Sequence, residues 1–233
     1  MISIRKHWLV GLAVASGVLS ASALTVNVTR YAAYEGGAGG GEFTIYNHGQ
    51  PWEAKYSPKA LAGYLVPGAS GFQTFCMEVN EHFANPANVV LNDKAIQGGV
   101  GPAGDPLSVG SAWLYAQFAM GSLPGYDYTA AGRKASALAL QKAIWYLEDE
   151  IAAPAEGAGF VNLASQIFGS LADAKADNNW QYNVAVMNMS VYDPNKQVDV
   201  LKQDMLVYLP DGGMTLVLLG CGLLGLAAIR RKE

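Results

Sequence analysis

Cys76 is the residue in the central part of the chain that could act as a nucleophile. The chain has two cysteines, and the other, Cys221, lies inside an apolar run near the C-terminus, so we expect no disulfide between them. A cysteine becomes a nucleophile when its thiol loses the proton. Taken alone, however, a single cysteine is more often a small buried apolar residue. A chemical role for Cys76 therefore needs a second residue.

Gln141 is the second residue of interest, because it is a polar amide among apolar neighbours. On a helix, the spacing of Leu138, Gln141 and Trp145 places all three on one face. Burying an amide costs about 2 kcal/mol or more unless it finds hydrogen-bond partners. The simplest interpretation is a glutamine that is hydrogen-bonded to the backbone of a strand.

Two short motifs connect these residues to a known family. Residues 75–78 read Phe-Cys-Met-Glu and resemble the aromatic-Cys-apolar-acid motif of bacterial thioester domains. Residues 140–145 read Leu-Gln-Lys-Ala-Ile-Trp and are similar to the more specific Gln-x-Ala-Ile-Trp motif of the same domains, which occur in surface adhesins. Glu78 stands where Asp is common and Leu140 where Thr is frequent, but neither residue supplies a bond-forming atom.

The resemblance implies an internal thioester between Cys76 and Gln141, formed with loss of ammonia. An amine on a protein or matrix polymer would then displace the thiol and leave a permanent amide. The resemblance therefore implies a single-turnover covalent binding module without a cofactor, not an enzyme. We expect the Cys76 sulfur to lie against the Gln141 carboxamide, with Glu78 and His82 as assisting groups. Apolar neighbours such as Phe75 and Trp145 are expected to exclude water.

Two other classes of function stay open. The first is an inert matrix or structural protein that has the same fold and no thioester. The second is a cysteine hydrolase that uses Cys76 and His82. A hydrolase also needs a residue that orients the histidine and an oxyanion hole, and the sequence indicates neither, so this alternative is the weaker one.

The spacing of apolar residues changes along the chain between the two-residue period of strands and the 3.6-residue period of helices, and it predicts the elements that position these residues. Strands are predicted at 24–34, 42–46, 73–79 (which carries Cys76), 184–192 and 198–208, and helices at 109–120, 130–151 and 159–176. Ser108 is the predicted N-cap of the first helix, and the Gly- and Pro-rich stretch 85–106 is predicted to be a loop. This order predicts an α+β domain, a mostly antiparallel sheet or small barrel with a helical insert.

The first 23 residues have the features of a secretory signal peptide. Basic residues at positions 5 and 6 precede an apolar run at 8–19, and the small residues 21–23 form an A-x-A-type site. The run is too short for a good membrane span. Cleavage is expected after Ala23.

Residues 209–233 have the features of a sorting signal. Pro210, Asp211, Gly212 and Gly213 precede an apolar stretch at 214–229, a predicted transmembrane helix, and then a basic end. This tail resembles the PEP-CTERM or VPDSG-type signals of Gram-negative bacteria, although Pro-Glu-Pro is the commoner motif. The resemblance implies an inner-membrane intermediate, cleavage by an exosortase and transfer to the outer envelope or extracellular matrix.

The remaining residues, 24–208, have a length that suits one domain. The chain has a net charge of −4 and no basic block. Nucleic-acid binding is therefore disfavoured.

Overall fold

The computed structural model describes residues 24–35, 40–46, 71–96 and 104–209. The strands are β1 (Leu24–Glu35), β2 (Gly41–Tyr46), β3 (Phe72–Thr74), β4 (Ala87–Asn92), β5 (Lys94–Ala95), β6 (Asp105–Pro106), β7 (Val184–Asp193) and β8 (Val198–Tyr208). The helices are α1 (Val109–Ala119), α2 (Arg133–Leu147), α3 (Ala158–Phe168) and α4 (Leu171–Ala174), and a 3-10 turn follows at Gln181–Asn183. The predicted mixture of a helical insert and flanking strands is confirmed.

Six strands form one antiparallel sheet in the order β3-β2-β1-β4-β7-β8. The two ends of this sheet also meet, because the segment after β3 pairs with β8. The Leu206 amide donates to the Phe75 carbonyl at 3.2 Å, and the Met77 amide donates to the Asp204 carbonyl at 2.9 Å. Cys76 lies between them, bridged to Met205. The sheet is thus mostly antiparallel, as predicted, and closes on itself as a small barrel does.

Alternate residues of the sheet belong to two separate apolar clusters. In β7, Val184 and Val186 pack with the helices, whereas Ala185 and Met187 pack in a second cluster among the strands. This alternation follows from the two-residue period of a strand. Cys76 belongs to the second cluster, among the strands.

The helices begin and end largely where the sequence predicts. Ser108 is the N-cap of α1 and its side chain accepts a hydrogen bond from the Ser111 amide, as expected of a capping serine. The predicted third helix, 159–176, is wrong as a single helix. It ends at Gly169, which has φ +91°, and α4 begins after a new N-cap at Ser170. Glycine in this left-handed conformation commonly ends a helix.

Two predictions about the strands need correction. The strand predicted at 73–79 ends at Thr74, so Cys76 follows β3 and does not lie within it. The loop predicted at 85–106 contains β4, β5 and β6. β4 pairs with both β1 and β7, so long-range pairing outweighs the turn-forming residues on either side of it.

The predicted signal peptide (1–23) and the predicted transmembrane helix of the tail lie outside the described residues. Among the helices that the structure does describe, none is both long enough and apolar enough to cross a bilayer.

Candidate functional site

The structure brings Gln141 and Cys76 together through a reciprocal pair of hydrogen bonds. The Cys76 amide donates to Gln141 Oε1 at 3.0 Å, and Gln141 Nε2 donates to the Cys76 carbonyl at 2.8 Å. The two residues are 65 positions apart in the chain. Because both polar atoms of the carboxamide face the same residue, its carbon atom is held beside Cys76.

Separate elements fix each partner of this pair. Cys76 is held by the β8 hydrogen bonds of the residues on either side of it, Phe75 and Met77. Gln141 lies in the middle of α2, where the helical backbone is fully hydrogen-bonded and the side chain is directed inward. The site therefore depends on how α2 docks against the barrel.

The pair lies in a place that water rarely reaches. Cys76 has 4% of its surface exposed and Gln141 none. Trp145, one helical turn after Gln141, packs in the same cluster as Cys76. The Phe75 side chain instead points to the helical cluster, where its ring contacts Phe118 edge-on. Of the two predicted neighbours, Trp145 thus packs in the cluster of Cys76, and Phe75 packs in the helical cluster.

Gly40 is a part of the site that the sequence reasoning missed. A Cβ at this position would lie 2.6 Å from Gln141 Cγ and 2.8 Å from Trp145 Cη2. Such distances are shorter than real Cβ contacts, so only a glycine lets the backbone approach the glutamine this closely. The glycine-rich stretch before β2 supplies this residue. Its φ of +79° also favours glycine.

We expect Gly40→Ala to destabilise the protein by about 1–3 kcal/mol, because the added methyl group must displace Gln141 or Trp145. Urea unfolding of the purified variant measures this change. Gly125→Ala is the matched control, since Gly125 has the same φ of +79° and a Cβ there would come no closer than 4.0 Å to its nearest neighbour, Phe160. If Gly40→Ala is no less stable than this control, the backbone at Gly40 does not pack against the glutamine as described.

The surroundings of Cys76 oppose ionisation of its thiol. Burial raises the pKa of Cys76 most strongly, and Glu78 raises it further when its carboxyl group is ionised. A nucleophilic thiolate therefore forms only if a base removes the proton in the site, or if the proton is transferred as the sulfur attacks. The position of the carboxamide, rather than an acidic thiol, is the favourable feature here.

Glu78 and His82, the predicted assisting groups, lie in different environments. Glu78 is buried, and burial followed by the charges of Asp204 and Glu81 raises its pKa to about 10. In that state, its carboxyl group at neutral pH can donate a proton but not accept one. The His82 side chain is exposed, and its backbone carbonyl accepts a hydrogen bond from the Gln203 amide. Assistance by either residue stays a prediction.

Glu148, the C-cap of α2, lies two turns after Gln141, where a carboxylate facing the site could polarise an incoming amine. The structure gives it another role. Its carboxylate accepts hydrogen bonds from the Ser108 hydroxyl at 2.6 Å and from the Ser108 amide at 3.2 Å. Burial raises the pKa of Glu148 to about 7. It therefore connects the end of α2 to the start of α1.

Comparison with known protein families gives a match at the C-terminal end of the chain. Residues 210–232 match the VPDSG-CTERM motif. The predicted sorting residues Pro210, Asp211 and Gly212 fall within this match, which indicates export to the cell envelope or surface. The VPDSG-CTERM match does not extend into residues 24–209. No curated protein and no solved structure matches the chain.

Proposed function

We propose that the domain forms an internal thioester between Cys76 and Gln141 and uses it to attach covalently to an amine on a partner. The reciprocal hydrogen bonds between the two residues are the observation that carries the proposal. They join residues from two distant elements and hold the carboxamide carbon next to the residue whose sulfur would attack it.

The bond would form by acyl transfer. The Cys76 sulfur attacks the Gln141 Cδ, the C–N bond breaks, and the thiol proton leaves with the amide nitrogen as ammonia. The attack places negative charge on Gln141 Oε1, and the Cys76 amide already donates to that atom at 3.0 Å. A backbone donor at this distance from a developing oxyanion is the arrangement that stabilises such intermediates. No other reactant is needed.

The thioester would then persist until an amine reaches it. Burial of both residues protects the bond from hydrolysis until a primary amine enters. The amine nitrogen attacks the same carbon, the C–S bond breaks, and the Cys76 thiol is regenerated beside a stable amide. Each molecule reacts once, so the protein acts as a covalent binding module and not as an enzyme.

The sorting motif indicates that this chemistry would take place at the cell envelope or surface. A protein directed to the envelope can meet amines on neighbouring proteins or on matrix polymers. We propose that an exosortase-type protease processes the tail after membrane insertion. The domain would then face such partners from the surface of a Gram-negative-type bacterium, where the proposed function is adhesion.

An inert structural role is the second candidate, and the same contact favours it. The two hydrogen bonds give both polar atoms of a buried amide a partner, so Gln141 could serve only as a structural link between α2 and the barrel. The cysteine hydrolase is less favoured, because His82 is exposed whereas Cys76 is buried.

Intact mass spectrometry separates the two candidates. We expect the purified protein to be lighter than its sequence by one ammonia. Incubation with methylamine should then raise the mass by one methylamine, because the amine adds across the thioester. The same spectra would give both termini and thereby show whether the predicted signal peptide and tail are removed.

Three variants complete this experiment. Cys76→Ala and Gln141→Ala should each have the full mass expected from their sequence and take up no methylamine. Gln166→Ala, an exposed glutamine of α3, should behave as the wild type does. A wild-type protein of full mass, whose Cys76 is alkylated quantitatively after denaturation, would rule out the thioester and leave the structural role.

A further inference from the structure

Three acidic residues meet beside the Cys76 segment. One carboxylate oxygen from each of Glu78, Glu81 and Asp204 lies within 4.8 Å of the corresponding oxygens of the other two. Glu78 and Glu81 belong to the segment after β3, and Asp204 belongs to β8. The cluster thus lies across the place where the two ends of the sheet meet.

Glu78 is a buried member of this cluster, and one of its carboxylate oxygens has no hydrogen-bond partner. The residue is 2% exposed, and its Oε1 atom has no hydrogen-bond partner. Its Oε2 atom accepts a long contact of 3.5 Å from Gln203 Nε2. Glu81 Oε2 is also buried and unpartnered. The side chains of Glu78 and Glu81 interact with each other, and two buried carboxyl groups so placed require either a shared proton or a bound cation between them.

The Asp204 carboxylate is held in place by three hydrogen bonds. Its Oδ2 accepts hydrogen bonds from the Ile96 amide at 2.8 Å and from Asn188 Nδ2 at 2.9 Å, and its Oδ1 accepts one from the Met189 amide at 3.2 Å. These donors hold the carboxylate in one orientation. Such support by surrounding hydrogen bonds is typical of carboxylates that bind metal ions.

The donor set and its dimensions select the kind of ion. All three donors are carboxylate oxygens, which are ligands for hard cations and not for copper or other soft metals. Calcium bonds to oxygen are about 2.4 Å long, so two ligands of one calcium ion lie at most about 4.8 Å apart. Magnesium demands a near-ideal octahedron and usually keeps several waters, whereas calcium accepts irregular sites of protein oxygens, so calcium is the better fit for three carboxylates that the fold brings together.

We propose that Glu78, Glu81 and Asp204 bind a calcium ion that joins the Cys76 segment to β8. The ion supplies the missing partner of the Glu78 and Glu81 oxygens across the closure of the sheet. An affinity on the order of 10⁻⁴–10⁻³ M, the range of extracellular calcium modules, would suffice for an exported protein. This inference is independent of the thioester.

Calorimetric titration and thermal unfolding test the site. After treatment with a chelator, the purified protein should bind one calcium ion, and its melting temperature should rise by several degrees at millimolar calcium. Potassium chloride at equal ionic strength should give no such rise, and magnesium a smaller one. The Cys76→Ala variant should respond in the same way, which separates this result from any failure of the thioester.

The variant Glu81→Gln removes one ligand that is only partly buried, and it should abolish both the binding heat and the calcium-dependent rise in melting temperature. The matched control is Asp199→Asn, an exposed acid on the same strand as Asp204, which should keep both. The proposal is overturned if the wild type shows no binding heat and no calcium-dependent rise. It is overturned equally if Glu81→Gln responds to calcium as the wild type does.

Discussion

Cys76→Ala is expected to lower the free energy of unfolding by about 4 kcal/mol if the thioester forms, because the bond closes a loop between residues 65 positions apart. A covalent cross-link restricts the unfolded chain, and the chain-entropy relation used for disulfides gives that magnitude for a loop of this length. The alanine keeps the backbone amide and carbonyl that pair with Gln141, so the folded site loses only the sulfur. Urea unfolding in a buffer without amines measures the difference.

Methylamine provides the control for this prediction without any mutation. It should destabilise the wild type by a similar amount, because it opens the cross-link, and it should leave the stability of Cys76→Ala unchanged. If Cys76→Ala loses only the approximately 1 kcal/mol expected for a small buried truncation, and methylamine has no effect on the wild type, no cross-link is present. The hydrogen bonds of Gln141 are then structural.

The parts of the fold that the sequence predicts well are those in which local pattern and tertiary packing agree. Strands β7 and β8 alternate between two apolar clusters and were located correctly, and Ser108 has the side chain that a helix N-cap requires. β4 was missed because its stability comes from pairing with β1 and β7, which are distant in sequence. The proline and asparagines that flank it favour a turn when only local sequence is considered.

In the site, too, the local sequence indicates some of the residues, and only the folded structure brings the others together. Gln141 was found because an amide on an apolar helical face requires a partner, and the partner proved to be the backbone of Cys76. Gly40 gave no comparable signal, since a glycine in a glycine run is typical of any turn. Its role appears only when α2 is docked against it. The cluster of Glu78, Glu81 and Asp204 was equally hidden, because its members come from two segments far apart in the chain.

The docking of α2 also depends on a buried ion pair, and its disruption is the second large effect that we expect. Arg133, the first residue of α2, donates from Nε and Nη2 to the two carboxylate oxygens of Glu42 on β2, each at 2.8 Å. Both side chains are almost completely buried. The Tyr126 hydroxyl donates to the same carboxylate. Burial raises the pKa of Glu42, and Arg133 opposes that shift.

Arg133→Met should destabilise the protein by about 3–5 kcal/mol near neutral pH, because it leaves the Glu42 carboxylate buried without its counter-ion. Lys134→Met, an exposed neighbour on the same helix, should change stability by no more than about 0.5 kcal/mol. Urea unfolding measures both variants.

A second substitution and the pH dependence identify the cause of this loss. Glu42→Gln combined with Arg133→Met removes the unpaired charge and keeps an acceptor for Tyr126, so the double variant should be more stable than Arg133→Met alone. In the single variant, the folded-state pKa of Glu42 lies above its unfolded value. Between these two pKa values, Glu42 is protonated in the folded state and ionised in the unfolded state. The free energy of unfolding should therefore rise as the pH falls from the folded-state pKa of Glu42 to its unfolded-state pKa. If Arg133→Met shows no such gain in acid and is no less stable than Lys134→Met, the ion pair does not hold α2 against β2. The position of Gln141 then depends on apolar packing and on its hydrogen bonds to Cys76.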